Sequence, residues 1–173
     1  MTLIATVKGS TSNSYLTVAD ATDLLNTYRL YTDDWDNATT DQKERSLIWA
    51  TRLIDESYDW YGAKRTLEQA LDWPRAGMLT KDGNFVDYDL LPLKLQLAVV
   101  DQAIYLLQKN PTTTPQLLGQ GFSQASVGPL SVTVDKNARL DFLTPSLLLD
   151  LREWGNPVGS GFGGFQQVPL MRD

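Results

Sequence analysis

Carboxylates are the side chains dense enough in this sequence to suggest acid–base chemistry. Asp33, Asp34 and Asp36 form one cluster, and Asp55, Glu56 and Asp59 form another. A carboxylate pair can act as general acid and base or hold a hard cation, provided that a partner acid, base or ligand stands at the right spacing. Neither cluster has such a partner. The chain has no histidine and no cysteine, which removes the group that titrates near neutrality, the thiolate nucleophile and the common soft metal ligands. The clusters therefore read as solvated helix ends and faces. The expectation is a protein that is not an enzyme and has no catalytic residue, metal or cofactor. Gly159-Ser160-Gly161-Phe162-Gly163-Gly164 looks like a phosphate loop in composition alone, because the following Lys-Ser/Thr and a downstream helix are missing.

Recognition is the other option. Trp35, Trp49, Trp60, Trp73 and Trp154 would suit stacking on unpaired bases if cations were interleaved with them. The net charge is −6 and no basic block exists, so the cationic stripe that neutralises phosphates is not evident. Core filling and subunit contact then become the expected uses of these rings. Lys64, Arg65 and Arg75 are the positive groups near aromatics, and they are expected to pair with Glu68, Asp72 or a neighbour's carboxylate. An acidic surface avoids sticking to DNA, which suits a wall that DNA slides past.

These residues need elements to hold them. A length of 173 residues suits one domain with one core. Met1 to Val7 is apolar but ends at Lys8-Gly9, too short for a signal peptide or a span, and the apolar run Leu95 to Leu107 is broken by Gln96, Asp101 and Gln102. No membrane contact is expected. The first 16 residues read as a short strand and a Ser-rich loop. Thr17 with Asp20 then caps a helix whose face is Val18, Ala21, Leu25 and Tyr28, ended by the turn-rich run from Asp33 to Asn37. Thr39 with Gln42 repeats the cap and begins a helix through about Tyr58. Its face of Leu47, Ala50, Thr51, Ile54 and Tyr58 opposes Lys43, Glu44, Arg45, Arg52 and Glu56. Turn signals dominate from Asp59 to Leu91, with a short helical turn around Leu67 to Leu71.

Pro92 opens a helix to Lys109 that is apolar on two sides. Leu93, Leu97, Val100, Ile104 and Leu107 make one side; Leu95, Val99, Ala103 and Leu106 make the other, which is expected to be a subunit interface. After the linker Asn110 to Pro115, residues 123–135 read as a β-hairpin that turns at Val127-Gly128-Pro129. Thr144-Pro145 starts a short helix with Leu147, Leu148, Leu151 and Trp154 inward. The fold class expected is mainly α: a bundle of three to four helices with a small β-hairpin over residues 1–154, then an extended, flexible C-terminal arm over 155–173. The arm carries Phe162, Phe165, Val168, Leu170 and Arg172 among glycines, a composition suited to docking on a partner's sheet edge or groove.

Four segments occur in order: Asn13-Ser14-Tyr15 before Ala19-Asp20-Ala21, then Ala50 to Asp55, then Gln69-Ala70-Leu71-Asp72-Trp73-Pro74-Arg75-Ala76-Gly77, and finally Val127-Gly128-Pro129-Leu130 before a strand. Together they resemble a phage protein family labelled DnaT-like single-stranded DNA binding, whose members resemble head-to-tail adaptors of tailed bacteriophages. The resemblance spans roughly residues 10–155, and the Trp73-Pro74-Arg75 run is its most specific part. It implies a dodecameric ring in the virion neck, made in the host cytoplasm, that lines the DNA channel. The implied partners are the portal protein, a tail, tail-terminator or nozzle protein, further copies of the chain, and passing double-stranded DNA without sequence-specific binding; the arm is expected to reach the portal. Within it, the Trp73-Pro74-Arg75 corner orders the long connection, with Trp73 buried and Arg75 paired with a carboxylate. The alternative expectation is a single-stranded DNA binding protein of phage replication.

Overall fold

The computed structural model describes residues 2–80, 82–109, 124–127, 130–133, 143, 144, 147 and 150–158. The protein is mainly helical. Helix α1 spans Val18–Tyr28, α2 Asp33–Asp36, α3 Thr40–Ser57 and α4 Leu93–Gln108. Three antiparallel two-stranded pairs accompany them: β1 (Tyr58–Trp60) with β6 (Gly155–Pro157), β2 (Ala63–Lys64) with β3 (Arg75–Ala76), and β4 (Gln124–Val127) with β5 (Leu130–Thr133). The last pair is the expected hairpin, with Val127 opposite Leu130.

Both capping boxes form. The Thr17 hydroxyl accepts from the Asp20 N–H, and the Asp20 carboxylate accepts from the Thr17 N–H; Thr39 and Gln42 repeat the exchange at the start of α3. Each satisfies two donors that a helix start otherwise leaves bare. Between α1 and α3 the acidic run forms α2 where a turn was expected. Its Trp35 is fully buried and its indole N–H donates to Thr22 Oγ1 at 3.1 Å. Burial of that ring sets the position of the short helix.

The core is assembled where α3 packs on α4, with α1 and α2 also lying against α4. Leu25, Leu47, Ile54, Leu95, Val99 and Leu151 are among its fully buried side chains, each contributing about 1.5–3 kcal/mol by leaving water. The side of α4 expected to meet another subunit is used within the chain itself: Leu95, Val99 and Ala103 are completely buried and Leu106 is partly buried. Thr144 and Glu153 meet α4. The Thr144 N–H donates to buried Gln102 Oε1 at 3.1 Å, and Lys94 reaches Glu153 at 2.9 Å.

Other expectations are corrected. Residues 2–7 form no strand, because Asn13 takes over its hydrogen bonding: its Oδ1 accepts from the Ile4 N–H at 2.8 Å and its amide donates to Thr2 O at 3.0 Å. No helical turn occurs at Leu67 to Leu71. There the buried Gln69 side chain accepts from the Thr66 N–H and donates to the carbonyls of Leu71 and Pro74. Gly155–Pro157, placed in the arm by sequence, is β6 and pairs with β1 in the register Tyr58 to Pro157 and Trp60 to Gly155. Phe162, Phe165, Val168, Leu170 and Arg172 lie outside the described residues.

Candidate nucleic-acid interface

Three of the four segments that carried the resemblance converge on one buried network. The Tyr15 N–H donates to Thr51 Oγ1 at 3.3 Å, and the Tyr15 hydroxyl donates to Asp55 Oδ1 at 2.6 Å. Asp55 Oδ2 accepts from the Asp72 N–H at 3.2 Å, while the Trp73 N–H donates to Tyr15 Oη at 3.1 Å. Burial pushes the Asp55 carboxyl up to about 7, against the hydrogen bonds from Tyr15 and Asp72, which favour its charged form. Burial also raises the Tyr15 hydroxyl, with the neighbouring Asp55 charge adding to it. The network ties the N-terminal segment and the Trp73 loop to α3. Tyr15 also lines an open depression of about 630 Å³ with Leu16, Leu24 and Leu91, but its hydroxyl and the Asp55 carboxyl are engaged within the network.

Trp73, Pro74 and Arg75 complete this corner. Trp73 is buried as expected, and the Trp73–Pro74 peptide is cis. The Trp73 ring meets Trp60 edge-on at 5.5 Å and Trp154 at 5.6 Å, and Trp60 stacks on Tyr58 at 4.9 Å. The indole N–H groups of Trp60, Trp73 and Trp154 have no hydrogen-bond partner among the described residues, so ring contact and apolar burial hold this cluster. Among the described residues Arg75 pairs with no carboxylate. Its buried guanidinium donates to the carbonyls of Tyr61 (2.6 Å), Gly62 (3.0 Å), Asp72 (3.1 Å) and Trp60 (3.4 Å). Gly62 makes this possible: its φ is +66°, and a Cβ there would stand 2.3 Å from the Ala76 carbonyl. The Arg75 donors end on backbone carbonyls and the rings pack on one another, so the corner is a structural clasp.

Lys109 lies 5.4 Å over the partly exposed Tyr105 ring at the end of α4, and two further surfaces bring more than one cation to an accessible ring. In the loops, Arg65 lies 4.5 Å over the half-exposed Tyr88 ring. Lys8 and Arg65 both reach Asp89 Oδ1, at 2.8 and 3.4 Å, and Lys64 reaches Asp72 at 3.0 Å. The Lys8 hydrogen bond, followed by that of Arg65, holds the Asp89 carboxyl below its ordinary range. Lys8 and Arg65 come from separate segments and are drawn together by the Asp89 carboxylate between them.

The second surface is the outward side of α3. Positions 45, 48, 49 and 52 fall on one helical stripe, opposite Leu47, Ala50, Thr51 and Ile54, which point into the core. Arg45, Ile48, Trp49 and Arg52 line an open depression of about 240 Å³. Ile48 and Trp49 are half-buried, while the arginine side chains are 68% and 66% exposed. Arg45 meets Asp41 at 2.9 Å and Arg52 meets Glu56 at 3.5 Å, each one turn away along the same helix. A partly accessible indole bracketed by two exposed guanidiniums can stack a planar group and hold anions on either side of it. The sequence reading placed Arg45 and Arg52 on the polar side of α3 and judged Trp49 separately. Their spacing, one turn before the ring and one turn after it, was the available signal.

Among the described residues no group of three or more His, Cys, Asp or Glu could hold a metal ion, and no helix is long and apolar enough to cross a membrane. Residues 1–147 match the family described as "Putative DnaT-like ssDNA binding protein". The chain belongs to this family. No curated protein and no solved structure matches it. Membership in the DnaT-like family corrects the principal functional expectation. The family is described by single-stranded DNA binding, and nothing in the match supports a head-to-tail adaptor, a virion connector, portal and tail partners, or passive passage of double-stranded DNA. The alternative expectation is the one it favours. A net charge of −6 does not exclude such binding, because a local site needs only a few cations placed beside a ring.

Proposed function

We propose that this protein binds single-stranded DNA without sequence preference and carries no chemistry of its own. The observation that carries this reading is the family match across residues 1–147. The arginine-flanked Trp49 surface is consistent with it, because sequence-tolerant binding of single strands combines stacking on aromatic faces with cations that track the phosphates. The net charge of −6 sets the conditions. At ionic strengths near 0.01 M, where charges act over ~30 Å, the whole acidic chain repels a polyanion; near 0.15 M the range shrinks to ~8 Å and local arginines decide. Binding is therefore modest in affinity and best observed at moderate salt.

Fluorescence anisotropy with a labelled thymidine oligonucleotide of about 20 nucleotides, longer than the ~4–16 covered by a typical single-strand binding fold, tests this directly. Saturable binding at moderate salt, weaker for a duplex of equal length and weakened further at high salt, is the expected result. No binding at any salt concentration would overturn the reading.

A further inference from the structure

We infer that the outward side of α3 is the strand-binding site: one unstacked base lies on Trp49, and the phosphates on either side of it are held by Arg45 and Arg52. This rests on the single-strand-binding reading and assigns it a place. Of the five tryptophans, Trp35, Trp73 and Trp154 are buried in the core and Trp60 stacks on Tyr58. Trp49 sits on the outward side of its helix and has no aromatic neighbour among the described residues. The depression around it is open and about 240 Å³ in volume, below the ~300–1,000 Å³ of an enclosing ligand pocket. A flat ring laid on an indole fits such a surface; an enclosed small molecule does not.

The charges fit the same occupant. Arg45 and Arg52 are seven positions apart, which places them about 10 Å apart along the helix axis with Trp49 between them. Two long side chains adjust that separation to the phosphates flanking one base. Their present partners, Asp41 and Glu56, are exposed neighbours on the same helix, and ion pairs of this kind are weak enough to be exchanged for a phosphate that accepts two parallel hydrogen bonds. Ile48 beside the ring extends the apolar floor to the sugar or to the edge of the next base. Lys8 and Arg65, by contrast, converge on one carboxylate, and the face of Tyr88 is covered by Arg65. That surface is already complementary to itself.

The test uses the full chain, the thymidine oligonucleotide described above and four variants: Trp49→Ala, Trp49→Phe, Arg45→Ala with Arg52→Ala, and Tyr88→Ala. Removing a stacking ring weakens single-strand binding by about five- to 150-fold, the expected result for Trp49→Ala. Trp49→Phe retains a π face and restores most of the affinity, which a merely structural requirement for indole volume would not predict. The double arginine variant lowers the slope of log affinity against log salt by about 1.4, since each phosphate contact on a single strand contributes about 0.7. Both arginines are surface positions, so this variant reports on the site even if Trp49→Ala were to unfold. If the unchanged protein binds while Trp49→Ala and the arginine variant bind equally well, or if Tyr88→Ala abolishes binding instead, the site is wrong and the function stands. If the unchanged protein does not bind, both fall.

Discussion

Arginine and tryptophan meet in two parts of this molecule, and their surroundings set them to opposite work. At the corner after β2, Arg75 is buried and each of its hydrogen bonds ends on a backbone carbonyl, while Trp60, Trp73 and Trp154 pack ring against ring. On α3, Arg45 and Arg52 stand in solvent on either side of a half-buried Trp49. The corner has the stronger interactions and turns them inward; α3 has the weaker ones and can exchange them. The segment most distinctive in sequence is thus concerned with folding, and the surface best suited to binding is a plain helical stripe. A residue's availability is decided by what already satisfies it, and only then by its type.

The most destructive way to break the comparison is at the corner. Arg75→Ala removes the donors that serve the carbonyls of Trp60, Tyr61, Gly62 and Asp72 and leaves those acceptors bare in a buried setting. Charged hydrogen bonds and unsatisfied buried acceptors together make the expected loss about 3–5 kcal/mol. The thermal midpoint falls by about 6–20 °C for a chain of this size, measured by circular dichroism. A melt within two or three degrees of the unchanged protein would mean that the corner holds together without its arginine.

A gentler probe acts on the network that joins the corner to α3. The Asp55 carboxyl is pushed up to about 7 by burial, from an ordinary value of 3.8. Its folded value exceeds its unfolded one, so between those two values the folded chain holds a proton that the unfolded chain releases. That contribution is fully present below about pH 4 and is lost as pH rises through about 7, amounting to about 3 kcal/mol between pH 5 and pH 8. Denaturant titrations of the unchanged protein and of Asp55→Asn across this range isolate it from the other carboxylates. The unchanged protein is expected to lose stability as pH rises, and the variant to show a flatter profile. Parallel profiles would show that Asp55 ionises freely inside the fold.

Sequence reading succeeded where the cause of a structure is local. The Thr17–Asp20 and Thr39–Gln42 boxes and the Leu47, Ala50, Thr51, Ile54 face place α1 and α3, since capping and periodicity act within a turn or two. It failed where the partner is distant. Ile4 is served by Asn13 instead of a neighbouring strand, β1 finds β6 nearly a hundred positions later, and the second side of α4 is covered within the chain itself. None of these pairings leaves a periodic trace. Trp49 failed differently: its arginine neighbours were legible at positions 45 and 52, but a formal charge averaged over the chain hid a site made of two cations.

The smallest expected effect is on the stability of α3 itself. Arg45→Ala with Arg52→Ala removes two exposed ion pairs, to Asp41 and Glu56, each worth about 0.3–0.5 kcal/mol on a helix surface. Alanine is the best helix former, so part of that loss is returned through backbone propensity. The net change is under about 1 kcal/mol, and the melt stays within a few degrees of the unchanged protein. This near-silence distinguishes the two arginine–tryptophan clusters, because the same change of residue type at position 75 is expected to cost several times more. A large loss on α3 would place its arginines in the same class as Arg75, holding Trp49 down as part of the packing, and would leave no exchangeable charge there for a phosphate to take.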